Sequence, residues 1–257
     1  MEYRKLPQEE YDDLASRILY EDNHLIIINK KSGEIVQGDK TGDEPLAETL
    51  KAFIAQRDSK PGKVFLGVPH RLDRPVSGIA MFAKTSKSLE RLNEMFRTSG
   101  MRKFYLALVC SEPQPHSALL EDKLYRIERQ NKSYVCKPGS LRSDAKTARL
   151  EYSLAGRTER YFLVRIKLLT GRHHQIRCQM ANIGCPVKGD LKYGAPRSNP
   201  DGSISLHAWR LEFMHPVKKE PLAVEAPVPA SWKGVGSLPA ETPEMPQDDS
   251  CGNRHVQ

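Results

Sequence analysis

The chain has 257 residues, 39% of them hydrophobic, and a formal net charge of +8. That length buries a core without disulfides or a structural metal, and the five cysteines (Cys110, Cys136, Cys178, Cys185 and Cys251) form no CxxC pair and no zinc spacing, which excludes a disulfide framework and reads as a reducing, cytoplasmic setting. Residues 233–257 carry two basic and four acidic side chains, a net of −2, so the preceding 232 residues hold +10, a balance that favours a polyanionic partner, nucleic acid before a membrane surface.

The N-terminus MEYRKLPQEEYDD lacks the apolar segment of a signal peptide. QEEYDDLASR (8–17) predicts a short acidic, peripheral helix. HLIIIN (24–29) is an apolar run of strand length, ended by KKSG. PLAETLKAFIAQR (45–57) places Leu46, Leu50, Phe53 and Ile54 on one helical face. KVFLGV (63–68) and GIAMFAK (78–84) predict strands on either side of HRLDRPVS. Ser86 is expected to cap a helix through Thr98, with Leu89, Leu92 and Phe96 inward and Gly100 as its stop.

RKFYLALVC (102–110), SYVCK (133–137), TARLEYSL (147–154) and YFLVRIKLL (161–169) predict strands. In the last, Phe162, Val164, Ile166 and Leu168 alternate with more polar neighbours. TGRHHQIR (170–177) predicts a strand-to-helix turn with a helix from Arg172 to Gly184. LHAWRLEF (206–213) and LAVEA (222–226) are late strands. No apolar run approaches the roughly 20 residues of a membrane span. The proline-bearing acidic stretch from residue 233 predicts a disordered tail. Strands dominate without regular βα alternation, so the expected class is α+β with a mixed, mostly antiparallel sheet and flanking helices.

Three segments carry candidate chemistry. In HRLDRPVSG, Asp73 lies between Arg71 and Arg74, and nearby guanidinium groups favour an ionised carboxylate. Such a group can serve as a base, an anionic stabiliser or a nucleophile, or it can simply clip the turn. In TGRHHQIR, a helix beginning at Arg172 would present backbone N–H groups and a guanidinium to a phosphate. Arg177, held beside the buried stripe Ile176, Met180 and Ile183, needs an anion, and Asp73 is the carboxylate expected to pair with it. His173 and His174, adjacent on a helix, point apart, which argues against a metal site. Tyr105 can offer a flat ring to a base. No Walker A loop, GxGxxG or GxSxG is present, which argues against ATP, NAD and serine-hydrolase mechanisms. No second carboxylate is obviously paired with Asp73 in the manner of a glycosidase.

HRLDRPVSGIAMFAKT resembles the HRLD-x-x-T-S-G motif of the RluA-type RNA pseudouridine synthases. ILYEDNHLIIINKKSG resembles that family's N-terminal strand and turn, RKFYLALV its K-x-Y-x-A strand, LLTGRHHQIRCQMANIGCPVKGDLKYG its longest signature, and LHAWRLEFMHP its closing strand. These blocks run in the family's order from about residue 18 to residue 216. Val76 stands where the family usually has Thr, and Lys31 where it commonly has Pro.

The resemblance implies a pseudouridine synthase fold and the isomerisation of uridine in ribosomal or transfer RNA. Asp73 would be the catalytic aspartate, Tyr105 the tyrosine stacked on the target base, and Arg177 the partner of Asp73. Arg71 would act in RNA rearrangement as the uridine flips out, and Arg172 is added as a phosphate contact. No cofactor and no metal are expected, and the chain is expected to act as a monomer. Its expected organisation is an N-terminal extension (1–17), a catalytic domain (18–232) and the tail (233–257). About 17 residues precede the first matching strand, so a compact form without the family's S4-like RNA-binding domain is expected. Two rivals are an RNA-binding or ribosome-assembly protein on the same fold and an RNA N-glycosylase. The set Asp73, Tyr105 and Arg177 counts against the first, and release of free uracil would mark the second.

Overall fold

The computed structural model describes residues 3–235 apart from 39–41, 60, 61, 99 and 141. The fold grows from its most apolar segment. Leu25–Lys30 (β2) is buried at all but one position, the pattern of a strand covered on both faces. It pairs antiparallel with Ile18–Glu21 (β1) and with Ser77–Ala83 (β3). Gln8–Ser16 (α1), with Glu9 and Glu10 in the first turn where the helix dipole favours acids, packs beside Leu46–Arg57 (α2). Leu46, Leu50, Phe53 and Ile54 are all buried as their spacing requires. The acidic helix lies at the surface as expected, with Leu14 its one buried residue, and it docks through the Tyr11 ring, 4.7 Å from that of Phe53.

Residues 63–68 do not form the expected strand. Gly67 alone bridges to Ala83, and Phe65 is exposed. The later strand Leu206–Met214 meets β3 only at Ser77 and Gly78, and along the open remainder of that edge the segment pairs with β3 at Gly67 alone, its N–H and C=O both bonded to Ala83. Helix Ser86–Arg97 (α3) is capped by Thr85 rather than by Ser86: Thr85 Oγ1 accepts from Ser88 N at 3.1 Å. Leu92 is fully buried, while Leu89 and Phe96 are half-buried against the core.

The second half of the sheet runs Met101–Val109 (β4), Phe162–Leu168 (β8), Lys146–Arg157 (β7), Ser117–Ile127 (β5) and Lys132–Val135 (β6), each antiparallel to the next. Sequence reading missed β5. Its burial alternates between exposed and half-buried, and Glu121, Asp122 and Lys123 dilute the apolar signal. Leu206–Met214 (β9) joins the halves, antiparallel to β4 and parallel to β3, and Pro221–Glu225 (β10) pairs with β9. The resulting order, β1-β2-β3-β9-β4-β8-β7-β5-β6, is a mixed, mostly antiparallel sheet. With its flanking helices this is the α+β class expected.

The parallel β3–β9 contact explains a glycine. Gly78 has φ +108, and a Cβ there would meet the Ala208 backbone at 2.3 Å, so only glycine lets the strand after HRLDRPVS enter the sheet. The sheet buries side chains on both faces. Tyr105, Val164 and Ile166 face the main core. Phe104, Leu106, Leu108, Leu163 and Trp209 form a second cluster under Trp232, so β8 is apolar at Leu163 as well as at its expected positions. Val235 packs on this second cluster, and residues 236–257 of the expected tail lie outside the described residues. Among the described residues, no helix is long and apolar enough to cross a membrane.

Candidate active site

Asp73 opens a turn closed by Val76 N donating to Asp73 O at 3.0 Å. The turn is fastened to its surroundings by main-chain acceptors. Gly33 N donates to Arg74 O (2.8 Å) and Ile204 N to Pro75 O (3.1 Å). Lys30, fully buried, gives its ammonium to the carbonyls of Lys31 (2.9 Å), Arg74 (3.2 Å) and Val76 (2.6 Å). A buried charge is tolerated only with such partners, and burial still pushes the Lys30 pKa down to about 8. Val76 lacks a hydroxyl, but its side chain is buried and its carbonyl is the shortest of the three contacts.

The neighbouring arginines do not pair with Asp73. Arg74 turns to Asp43 (2.6 Å), and Arg71 is exposed. The partner comes from the far half of the chain: Arg177 Nη1 donates to Asp73 Oδ2 at 3.0 Å, as expected. Its firmer grip is on a residue that sequence reading passed over. Asp190, buried, receives Arg177 Nε at 2.6 Å and Nη2 at 2.9 Å, the fork geometry that suits guanidinium to carboxylate. Burial opposes the Arg177 charge, but Asp190 and then Asp73 outweigh it and raise the Arg177 pKa. The guanidinium also lies 5.1 Å from the Tyr193 ring centre.

Arg177 sits on Gln175–Asn182 (α4), which begins three residues later than expected. His174, in the left-handed region (φ 52, ψ 26), precedes it, and the Arg172 N–H is taken by Gln175 Oε1 at 3.0 Å. The expected phosphate site at a helix starting with Arg172 is therefore absent. Arg172 itself is exposed, with Nε donating to Thr147 O at 2.9 Å.

The turn also places His174 Nε2 3.4 Å from Asp73 Oδ2. His174 Nδ1 lies 3.0 Å from the Tyr193 hydroxyl, which accepts from Ser133 N at 2.8 Å. Burial, then the Arg177 charge, pushes the His174 pKa down to about 2, so the ring is neutral. With its acceptor role filled by Ser133, the Tyr193 O–H donates to Nδ1, which puts the ring proton on Nε2, toward Asp73. His173 stacks on His174 at 3.7 Å, with Nδ1 2.9 Å from Ser133 Oγ. Burial, then Arg126, pushes its pKa down to about 4. The two rings are thus engaged with protein partners. Among the described residues, no three metal-ligating side chains are grouped.

Tyr105 lies in the middle of β4, half-buried on the face toward Asp73. Burial and then the Asp73 charge raise its pKa, so it is a neutral phenol. The structure therefore brings Asp73, Arg177 and Tyr105 to one site and leaves Arg71 and Arg172 on its exposed rim. It adds His174, Asp190, Tyr193 and Lys30. Asp190 and Tyr193 were legible only as parts of the GDLKYG block. Lys30 reads as a surface residue until its fold is known.

Known proteins resemble the chain over most of its length. A family model described as RNA pseudouridylate synthase matches residues 24–182. Ribosomal large subunit pseudouridine synthase C of Yersinia pestis is 34% identical over 221 residues, covering 84% of this chain and 66% of that protein. Its namesake from Escherichia coli strain K12 is 32% identical over 228 residues, covering 86% of this chain and 69% of that protein. The structure of human RNA pseudouridylate synthase domain containing 4 superposes with a TM-score of 0.72 at 23% identity, over 86% of this chain and 92% of that one, which shows the same fold. The chain belongs to the RNA pseudouridylate synthase family, isomerases that make pseudouridine from uridine in RNA.

Proposed function

We propose that the chain isomerises a uridine of ribosomal RNA, with Asp73 as the catalytic carboxylate. The observation that carries this reading is the posture of Asp73: Oδ2 meets Arg177 at 3.0 Å and His174 at 3.4 Å, while no donor among the described residues meets Oδ1. One oxygen is thereby fixed and the other is left for the substrate. The N1–C1′ bond of the uridine breaks, the uracil turns, and C5 bonds to C1′ as the C5 proton leaves to water and N1 takes a proton from water in exchange. Nothing is gained or lost overall, so no cofactor takes part.

A uridine reaches such a site only by leaving its stack. Tyr105 replaces the lost stacking, Arg71 enters the vacated space in the RNA, and Arg172 meets the backbone. Asp73 then attacks C1′ or takes a proton from C2′. Ribosomal RNA is the proposed substrate because the relatives described above are named for the large ribosomal subunit. The enzyme works in the cytoplasm as a monomer, with residues 18–232 as its catalytic domain.

The test uses ribosomal RNA and transfer RNA transcripts labelled with tritium at uridine C5. Release of tritium to water from ribosomal RNA, lost in Asp73→Asn while RNA affinity stays within about twofold of wild type, is the expected result. Undiminished release by Asp73→Asn removes Asp73 from the mechanism. Release from transfer RNA alone overturns the substrate.

A further inference from the structure

Lys103 precedes Tyr105 by two residues on β4, so both side chains leave the same face of the sheet, about 7 Å apart along the strand. Lys103, Tyr105, His70 and Phe96 line one small cavity. Lys103 is half-buried, yet among the described residues no carboxylate, carbonyl or hydroxyl meets its ammonium. What surrounds Nζ is the Phe96 ring at 6.0 Å, the bare backbone of Gly171, whose Cβ position lies 3.7 Å away, the His70 imidazole, and Arg172. His70 is neutral: burial, then the Lys103 charge, pushes its pKa down to about 4. Burial and then the Arg172 charge lower the Lys103 pKa.

Arg172 is the complementary case. Its Nε is tied to Thr147 O at 2.9 Å, which orients the guanidinium, and its outer nitrogens have no acidic partner among the described residues. Two cations are thus held together at the rim of the Tyr105 cleft with no anion between them. A half-buried ammonium that no protein acceptor meets is partly desolvated without compensation, and a like charge beside it adds to the cost. Elsewhere this chain pairs its buried cations with care: Arg177 has Asp190 and Asp73, and Lys30 has three carbonyls. Lys103 departs from that practice at the place where a polyanion must approach. A phosphodiester offers one negative charge and two outer oxygens, which an ammonium and a guanidinium can take together.

We propose that Lys103 and Arg172 jointly hold one backbone phosphate of the RNA, the one adjoining the uridine stacked on Tyr105. The assignment rests on the site reading above. It deepens that reading by naming a residue, Lys103, for a contact that Arg172 does not make alone.

The test measures binding of the whole chain to an unmodified large-subunit ribosomal RNA transcript across a series of salt concentrations. Lys103→Met, Arg172→Met and the double variant are compared with Lys103→Arg. Each neutral variant is expected to bind several-fold more weakly. The slope of log affinity against log salt should be shallower by about one unit in the double variant, not two, because one phosphate is lost. Lys103→Arg should keep the wild-type slope. Lys103→Met should also unfold at a higher temperature than wild type, since an unpaired charge has gone, whereas a structural lysine would give the opposite shift. An unchanged slope in the double variant, a loss there of about two units, or a lower unfolding temperature for Lys103→Met overturns the proposal. Tritium release from the same RNA separates the two readings: the expected slopes with no release by wild type would uphold the phosphate site and remove this RNA as substrate.

Discussion

Arg177 grips Asp190 with two nitrogens, Nε to Oδ2 at 2.6 Å and Nη2 to Oδ1 at 2.9 Å, which leaves Nη1 to reach Asp73 Oδ2 at 3.0 Å. The buried pair Arg177–Asp190 is thus a fixed mount, and Asp73 hangs on its remaining donor. The Asp73 carboxylate is thus held in place through a second, buried carboxylate, Asp190.

Asp190→Asn is expected to lower stability by about 3–5 kcal/mol, because it leaves a buried guanidinium short of charge. It should also reduce tritium release more than tenfold, since Arg177 would be drawn toward Asp73. Chemical denaturation and the release assay check both. Wild-type turnover in a folded Asp190→Asn would show that Asp73 does not depend on this mount.

Tyr193→Phe keeps the ring beside Arg177 but removes the hydroxyl that orders His174. The buried Ser133 N–H loses its acceptor, at a cost of about 1–3 kcal/mol. The His174 proton is no longer confined to Nε2, so kcat should fall while KM changes little. Nitrogen-15 NMR of labelled histidine should show a protonated Nε2 in wild type and a mixture of tautomers in Tyr193→Phe. A single unchanged tautomer would refute the relay.

The acid stability of the fold should reflect its buried histidines. Burial holds the pKa of His70 and His207 down to about 4, and that of His174 to about 2, against 6.5 in the open chain. Below 6.5 the unfolded chain binds protons that the folded one refuses, so stability is lost as pH falls from 6.5 toward 4. Thermal unfolding followed from pH 7 to pH 4 should show a steady decline, and His207→Gln should flatten it. The same neutrality means that no histidine of this set gives an activity limb between pH 5 and 7.

Lys30→Met removes the ammonium that gathers the carbonyls of Lys31, Arg74 and Val76. Leaving buried acceptors unmet costs about 1–3 kcal/mol for each group left dry. The turn that carries Asp73 would loosen, so turnover should fall further than RNA affinity. Release and binding assays on the same preparation check the split. Equal losses in both would mean that Lys30 supports the fold as a whole rather than the turn.

Most elements were legible because their cause is local. The apolar run of β2, the helical spacing of Leu46, Leu50, Phe53 and Ile54, and the alternation in β8 each state which face is buried. Residues 63–68 look like a strand by the same criteria and are not one: only Gly67 bonds to the open edge of β3, at Ala83. The acidic helix α1 is a surface helix, as its charged residues imply, but one leucine and one tyrosine give too faint a signal to show where it docks. Both rings and side chains find partners only after α2 is in place.

The sequence by itself determined the family, through ordered blocks of local signature, and with it which residues, Asp73, Tyr105 and Arg177, are proposed for the site. It also determined the α+β class and the basic character of the chain. Only the tertiary structure decided which charges meet. The two arginines beside Asp73 in sequence turn away, while Arg177, 104 residues distant, takes the carboxylate. Asp190 takes Arg177 in turn, and Lys103 has no anion among the described residues. Charge pairing depends on distance and burial in space, and both are set by how the strands cross, which no local pattern of residues records.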